Sequence, residues 1–244
     1  MSKRERADRL LVARGVFESR ARAQAAIEAG RVVADGRPIR KSSEEISMAA
    51  ALAAEPAHPY VSRGGIKLAA ALDSFSLDVA GRICLDVGAS TGGFTEVLLE
   101  RGARHVYAVD VGRGQLHARL RQHKRVTSIE ETDIRNLDVV SHLPEQPDFT
   151  TIDVSFISLK LALPCVDRLL KPGAIIVALI KPQFEANRRA VKKGIVRDNV
   201  VHTAICSDIA DFMRGLDWQV GGIIASPITG GGGNREFFIE ARRG

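Results

Sequence analysis

The chain of 244 residues holds three cysteines, one tryptophan and two tyrosines. Cys84, Cys165 and Cys206 lie far apart with no C-x-x-C pair, which indicates neither a disulfide framework nor a zinc site. Long apolar runs are also missing. The most apolar stretch, Ala174 to Ile180, is far below the ~20 residues that a membrane-spanning helix needs, and no segment reads as a signal peptide. A soluble, cytoplasmic protein is expected. What is present is an apolar fraction of 45%, enough for a real core, and a net charge of +6 with a pI near 9.5. That balance favours an acidic partner, with RNA, DNA and an anionic membrane all open. The length accommodates one α/β domain plus a small appendage.

The chain is organised around Leu85 to Phe94, L-D-V-G-A-S-T-G-G-F. Ile83-Cys84-Leu85 reads as a buried strand, Asp86 stands at its end, and Phe94 to Leu99 opens a helix ending near Gly102. A strand, a glycine turn and a helix start form a cofactor cradle, because glycine lets a ligand approach the backbone and the helix N-terminus offers unpaired N–H groups. The spacing is not the G-x-G-x-x-G of dinucleotide enzymes, which disfavours a nicotinamide-dependent oxidoreductase. An acid before a loose G-x-x-x-G-G suits S-adenosylmethionine, whose cationic amino acid end wants a carboxylate nearby. The expected cofactor contacts are Asp86, Gly88, Ala89, Ser90, Thr91, Gly92, Gly93 and Phe94. The competing reading is an ordinary strand-to-helix turn.

Residues 1–46 are more basic than the rest, with 11 Lys+Arg against 7 acids. Ala7, Leu10, Leu11 and Val12 share a helix face that stops at Gly15. Ser19 caps a second helix, with Ala23, Ala26 and Ile27 at helical spacing and Gly30 at its end. Val32-Val33-Ala34 meets Arg37-Pro38-Ile39 across Asp35-Gly36, a hairpin signal. So small a unit buries little, and its cations are expected to line a surface for phosphates, with Lys3, Arg4, Arg6, Arg20, Arg22, Arg31 and Lys41 as RNA-binding candidates; a merely solvated basic face is the alternative. The order Asp8-Arg9-Leu10-Leu11, Arg14-Gly15, Ser19-Arg20-Ala21-Arg22-Ala23, Gly30-Arg31-Val32, Asp35-Gly36 and Lys41 resembles the RNA-binding module first described in the small-subunit ribosomal protein S-four. We place that α+β module at 1–47 and a linker at 48–61, the stretch Ala49 to Pro59 being rich in alanine and proline with little periodicity.

From 62 to 244 strands and helices alternate. Ser62-Arg63-Gly64-Gly65 opens a helix from Ile66 to Phe75, with Arg63 and Lys67 around its first turn, where the macrodipole disfavours cations; Arg63 joins the RNA-binding candidates. Strands are expected at His105–Val109, Val126–Ile129, Phe149–Ile152, Ala174–Ile180, Trp218–Ala225 and Glu236–Ala241, with a long helix from Val200 to Leu216 and a mobile loop over 229–234. Counted with the first strand, this gives a Rossmann-like, mostly parallel seven-stranded sheet with ligands at the carboxyl ends of its strands. Asp110 lies 22 residues past Gly88, near the ~20 expected of a ribose-binding carboxylate. Asp133 is placed to meet an adenine edge.

Asp86, Asp110, Asp153 and Lys181 each terminate a strand, and Lys67 and Glu236 lie on elements able to fold beside them. Methyl transfer is an in-line displacement, so the enzyme mainly aligns the nucleophile and removes its proton. A ribose hydroxyl has a high pKa, and a lysine whose own pKa is lowered by burial or a second cation can take that proton while acids orient it. A Lys-Asp-Lys-Glu group fits the task. An exocyclic-amine methylase usually shows Asn/Asp-Pro-Pro-aromatic where this chain has Asp153-Val154-Ser155-Phe156. A carbon-5 pyrimidine methylase needs a cysteine nucleophile, and Cys165 falls in an apolar helical run where a core role is expected.

This constellation is similar to the FtsJ-like ribose 2′-O-methyltransferases, and with the basic module attached the chain resembles the TlyA family, often labelled haemolysin. The distinctive pieces are Ser62-Arg63-Gly64-Gly65-x-Lys67-Leu68, Asp86 to Thr95, Asp153 to Leu159, Lys181-Pro182-Gln183-Phe184-Glu185 and Asn234-x-Glu236-Phe237-Phe238. The resemblance implies a catalytic tetrad of Lys67, Asp153, Lys181 and Glu236 with Lys181 as base, S-adenosylmethionine as cofactor, no metal, and 2′-O-methylation of a cytidine in ribosomal RNA. It further implies the large subunit's 23S rRNA, as in shorter members, with 16S as the alternative. A membrane-lytic protein and a catalytically dead RNA-binding protein are the readings from other classes.

Overall fold

The computed structural model describes residues 3–137 and 139–244, and the chain divides into two compact units, Met1–Pro59 and Tyr60–Gly244. In the first unit the helices Ala7–Ala13 and Arg20–Glu28 pack their apolar faces together around Leu10, Leu11, Ala23, Ala26 and Ile27, all buried. The Ser19 hydroxyl accepts the Arg22 N–H and caps the second helix. Gly15 and Gly30, both at positive φ, end the two helices. The hairpin forms as its turn chemistry requires, β2 (Val32–Ala34) against β3 (Arg37–Pro38), with Asp35 at φ 48° and Gly36 at 76°.

Three further strands escape the sequence pattern. β1 (Arg4–Arg6) pairs antiparallel with β4 (Glu45–Ser47), and β5 (Leu52–Ala54) pairs antiparallel with β2. The stretch read as a linker therefore contributes a strand: Leu52 and Ala54 pack against the first unit's core, and the Ala51 N–H bonds the Asp35 carboxylate.

The second unit is a seven-stranded sheet. Its members are β6 (Ile83–Val87), β7 (His105–Val109), β8 (Val126–Ile129), β9 (Phe149–Ile152), β10 (Ile175–Ile180), β11 (Trp218–Ala225) and β12 (Phe237–Arg243), in the order β11-β12-β10-β9-β6-β7-β8. All adjacent pairs are parallel except those of β12, which runs antiparallel to β10 and β11. The central strands β6, β9 and β10 are buried along their whole length; β10 reads as a continuous apolar run, while β6 and β9 take Asp86, Thr150 and Thr151 inside with them. One face of the sheet packs the helices Leu159–Asp167 and Asn199–Arg214; the other packs Gly64–Ser74 and Gly93–Glu100. The chain reverses across the sheet between β6 and β9, where an open parallel sheet leaves a crevice at its carboxyl edge.

Candidate active site

The crevice is built by close backbone approaches. Gly88 has φ 83°, and a Cβ there would stand 2.6 Å from the Asp153 carbonyl oxygen, so the loop after β6 and the loop after β9 meet only with glycine at this position. At Gly93 a Cβ would meet the Ser62 hydroxyl and the Gly65 nitrogen, the latter at 2.9 Å. The helices Gly64–Ser74 and Gly93–Glu100 thus begin side by side, and neither has a side-chain cap. Gly64 and Gly93, the first residues of both helices, line a polar cavity of about 250 Å³, whose walls include Arg63, Lys67, Ala89, Ser90, Thr91, Phe94 and Asp153. Uncapped helix starts of this kind are ready-made sites for a carboxylate or phosphate.

A second cavity of about 300 Å³ lies on the other side of Gly88, with Val87, Val109, Asp110, Val111, Asp133, Ile134 and Val154 among its walls. It is largely apolar and suits a flat aromatic group. Asp110 stands in its wall at the end of β7, its two oxygens accepting the N–H groups of Ser90 (2.8 Å) and Gly112 (2.7 Å). Asp133 lines it too, but its carboxylate is held by Arg135 through the backbone N–H (2.9 Å) and the guanidinium (2.6 Å), and these contacts hold it below the usual carboxylate range.

Two of the residues expected to touch the cofactor take supporting positions. Asp86 is wholly buried and lines neither cavity; its oxygens accept the hydroxyls of Thr95 (2.6 Å) and Thr151 (2.9 Å). It ties β6 to β9 and to the helix of the cradle from behind, and burial pushes its carboxyl up to about 7. Gly92, at φ 96°, is set against Leu116 and Leu120, where any side chain would collide.

The four tetrad positions form two ion pairs, one buried and one half-buried. Lys67 Nζ lies 2.5 Å from Glu236 Oε2, joining the helix Gly64–Ser74 to the residue before β12 across 169 positions of sequence. Lys181 Nζ, at the end of β10, lies 2.7 Å from Asp153 Oδ1 and donates to the Ser155 hydroxyl at 2.8 Å. Lys67 and Asp153 share the polar cavity, so the two pairs stand at one site. Gly230 closes over Glu236, a Cβ there being placed on its carboxylate. Cys165 is half-buried against the core on the helix Leu159–Asp167 and lines neither cavity.

Sequence reasoning gave no role to Phe156. The residue is 88% exposed, its backbone is at φ 67°, and its ring centroid lies 5.2 Å from that of Phe184 in a tilted pair. A bulky residue held at positive φ, with its ring in solvent at a pocket rim, is the signal that a sequence alone does not carry.

In the first unit the expected RNA contacts divide. Asp8, wholly buried, takes Arg6 in a two-pronged pair (3.0 and 3.1 Å) and Arg20 at 2.8 Å, with Gln24 at 2.9 Å. The Arg6 hydrogen bond holds the Asp8 carboxyl well below the usual carboxylate range, against the opposing effect of burial. Arg31 pairs with Glu55 and Arg4 donates to the Glu45 carbonyl, whereas Lys3 and Lys41 are exposed. Arg22 is half-buried beside Phe17 and His58. Among the described residues no helix is long and apolar enough to cross a membrane, and no group of three His, Cys, Asp or Glu could hold a metal ion.

Comparison with known proteins agrees with this architecture. Residues 60–243 match the FtsJ-like methyltransferase model and residues 5–49 the S4 domain model. The YqxC protein of Bacillus subtilis is 46% identical over 98% of this chain and 86% of its own length. The 16S/23S rRNA (cytidine-2′-O)-methyltransferase TlyA of Mycobacterium tuberculosis is 43% identical over 99% of this chain and 91% of its own. A solved structure from Streptococcus thermophilus, titled a hemolysin, superposes with a TM-score of 0.79 at 43% identity and covers 100% of this chain and 90% of that one. The chain belongs to the FtsJ-like methyltransferase family and carries an S4 domain ahead of its catalytic unit.

Proposed function

We propose that the chain transfers a methyl group from S-adenosylmethionine to the ribose 2′ oxygen of a cytidine in ribosomal RNA, 23S rRNA being the expected target and 16S the alternative. The observation that carries the reading is the pair of ion pairs, Lys67–Glu236 and Lys181–Asp153, converging on a cavity floored by a glycine cradle. The mycobacterial relative bears the same activity in its name.

The donor set fits the cofactor. The uncapped starts of Gly64–Ser74 and Gly93–Glu100 would hold its carboxylate, Asp110 its ribose hydroxyls, and the apolar cavity by Val111 and Ile134 its adenine. Bound there, S-adenosylmethionine supplies a methyl carbon made electrophilic by its sulfonium. In its neutral form the Lys181 amine would take the 2′-hydroxyl proton as that oxygen displaces S-adenosylhomocysteine from the methyl carbon, and Asp153 and Ser155 hold Nζ on its line of approach. Lys67, fixed by Glu236, places a cation at the same cavity, where it stabilises the developing oxyanion. The exposed Phe156 ring offers a stacking surface for a base drawn out of its helix.

The test is a Glu236→Gln variant, which keeps the side chain's shape and removes the charge that fixes Lys67. It is expected to bind S-adenosylmethionine with unchanged affinity by calorimetry while methylating rRNA at least tenfold more slowly. Wild-type turnover in the variant would refute the tetrad reading.

A further inference from the structure

The chain between the tetrad residue Lys181 and the helix Asn199–Arg214 contains Arg188, Arg189, Lys192, Lys193 and Arg197, all exposed. Among the described residues none of the five makes an ion pair. The one acid in the stretch after Glu185, Asp198, is committed to capping that helix by accepting the Val200 N–H at 2.8 Å.

The segment is built, with its shape fixed from both sides. Lys192 and Ile195 exchange two backbone hydrogen bonds (2.9 and 3.0 Å) around a two-residue turn, Lys193 at φ 51° and Gly194 at 77°. A lysine thus occupies a left-handed position that asparagine or glycine takes more readily. Asn234, buried two residues ahead of Glu236, spends its amide on this turn: Oδ1 accepts the Val196 N–H at 3.1 Å, and Nδ2 donates to the Gly194 carbonyl at 2.8 Å. The His202 ring meets the Val196 carbonyl at 3.0 Å. The turn is therefore strung between the chain that leaves Lys181 and the chain that enters Glu236.

We propose that this turn is a second RNA-gripping element, on the catalytic unit itself, that holds backbone phosphates flanking the target ribose. The inference rests on the rRNA reading above. Unpaired, outward-facing cations on a fixed turn at the edge of the site suit a polyanion, since each phosphate neutralised releases a counterion. A lipid surface fits less well: Val196 is 2% exposed and Val191 and Ile195 are half-buried, so the turn presents charge with no apolar residue to insert.

The experiment compares two full-length variants of equal charge. Lys192→Gln/Lys193→Asn alters the turn, asparagine tolerating the left-handed position; Arg101→Gln/Lys171→Gln removes two cations from the opposite edge of the sheet. RNA affinity is measured against salt concentration with separated ribosomal subunits, alongside KM and kcat. The turn variant is expected to lower the salt slope by about 1.4–1.8, at 0.7–0.9 per phosphate contact, and to raise KM for RNA about tenfold, with kcat and S-adenosylmethionine affinity unchanged. Lys193→Arg is expected to behave as wild type. Equal slopes in the two double variants would overturn the proposal, as would loss of binding to phosphatidylglycerol vesicles with RNA affinity intact. If the wild-type protein methylates rRNA and only the slopes agree, the proposal alone fails; if wild type neither binds nor methylates rRNA, the underlying reading fails with it.

Discussion

Replacing Lys181 by methionine removes one amine and leaves most of the buried stem in place. In the structure that amine sits between Asp153 Oδ1 at 2.7 Å and the Ser155 hydroxyl at 2.8 Å, with little solvent access. Two consequences separate cleanly. The chemical one is loss of the group that receives the 2′-hydroxyl proton. General-base catalysis contributes roughly 10²–10⁴-fold, so kcat should fall by that factor, about 3–5 kcal/mol of barrier. The structural one is that a buried carboxylate oxygen of Asp153 loses its cation, at a cost of about 1–3 kcal/mol. A second variant, Lys181→Met/Asp153→Asn, removes the uncompensated charge and should recover much of the melting temperature while recovering none of the rate. The assay is single-turnover methyl transfer at saturating RNA, with a thermal melt and a cofactor isotherm on the same preparations. If Lys181→Met keeps kcat within a few-fold of wild type while its melting temperature drops, Lys181 is a structural partner of Asp153 and the base lies elsewhere.

Other perturbations probe the scaffold. Gly88→Ala forces a side chain into φ 83° and against the Asp153 carbonyl, and is expected to destabilise the second unit by about 1–3 kcal/mol and to weaken cofactor binding at least tenfold, read by calorimetry. Asp8→Ala unties Arg6, Arg20 and Gln24 and should cost the first unit about 1.5–3 kcal/mol, visible as faster proteolysis within residues 1–59; S-adenosylmethionine affinity should stay unchanged. Because the folded Asp8 carboxyl lies below its ordinary value, its stabilisation is present at neutral pH and is lost as pH falls below about 4. Asp86 has the opposite sign. Its folded value of about 7 exceeds the ordinary 3.8, so the folded state binds the extra proton between those values and this group's contribution falls as pH rises through the window, by at most about 1.4 kcal/mol per unit. Asp86→Asn should flatten that limb in denaturant titrations at pH 4–7; an unchanged pH dependence would show that another group carries it.

Much of the fold is legible in the residues because short runs rich in apolar and β-branched residues are bounded by turn and helix signals. His105–Val109, Val126–Ile129, Phe149–Ile152 and Trp218–Ala225 fall at the expected bounds. The small strands do not. Arg4–Arg6 carries no apolar residue, Glu45–Ser47 has only Ile46, and Leu52–Ala54 is alanine-rich; each is a strand because a partner edge and a small core select it, a tertiary effect that propensity does not record. In the site, the glycine loop and the strand-end acids are visible as a motif. The ion pair of Lys67 with Glu236 spans 169 residues, and no local pattern reports such a contact: the sequence groups the two residues at one site without pairing them. Asp86 shows the limit of reading a motif by charge: two threonines, nine and 65 residues away, turn their hydroxyls toward it, and the acid expected to face a ligand supports the cradle from within.

The most direct measurement places the methyl group. Protein and methyl-labelled S-adenosylmethionine would be incubated with ribosomal subunits from a strain lacking this gene, and the RNA digested to nucleosides for mass spectrometry. Label is expected in 2′-O-methylcytidine, in 23S rRNA, and at least a hundredfold more slowly with Lys181→Met. Label on a base would leave a methyltransferase and contradict the ribose mechanism built on Lys181, Asp153, Lys67 and Glu236.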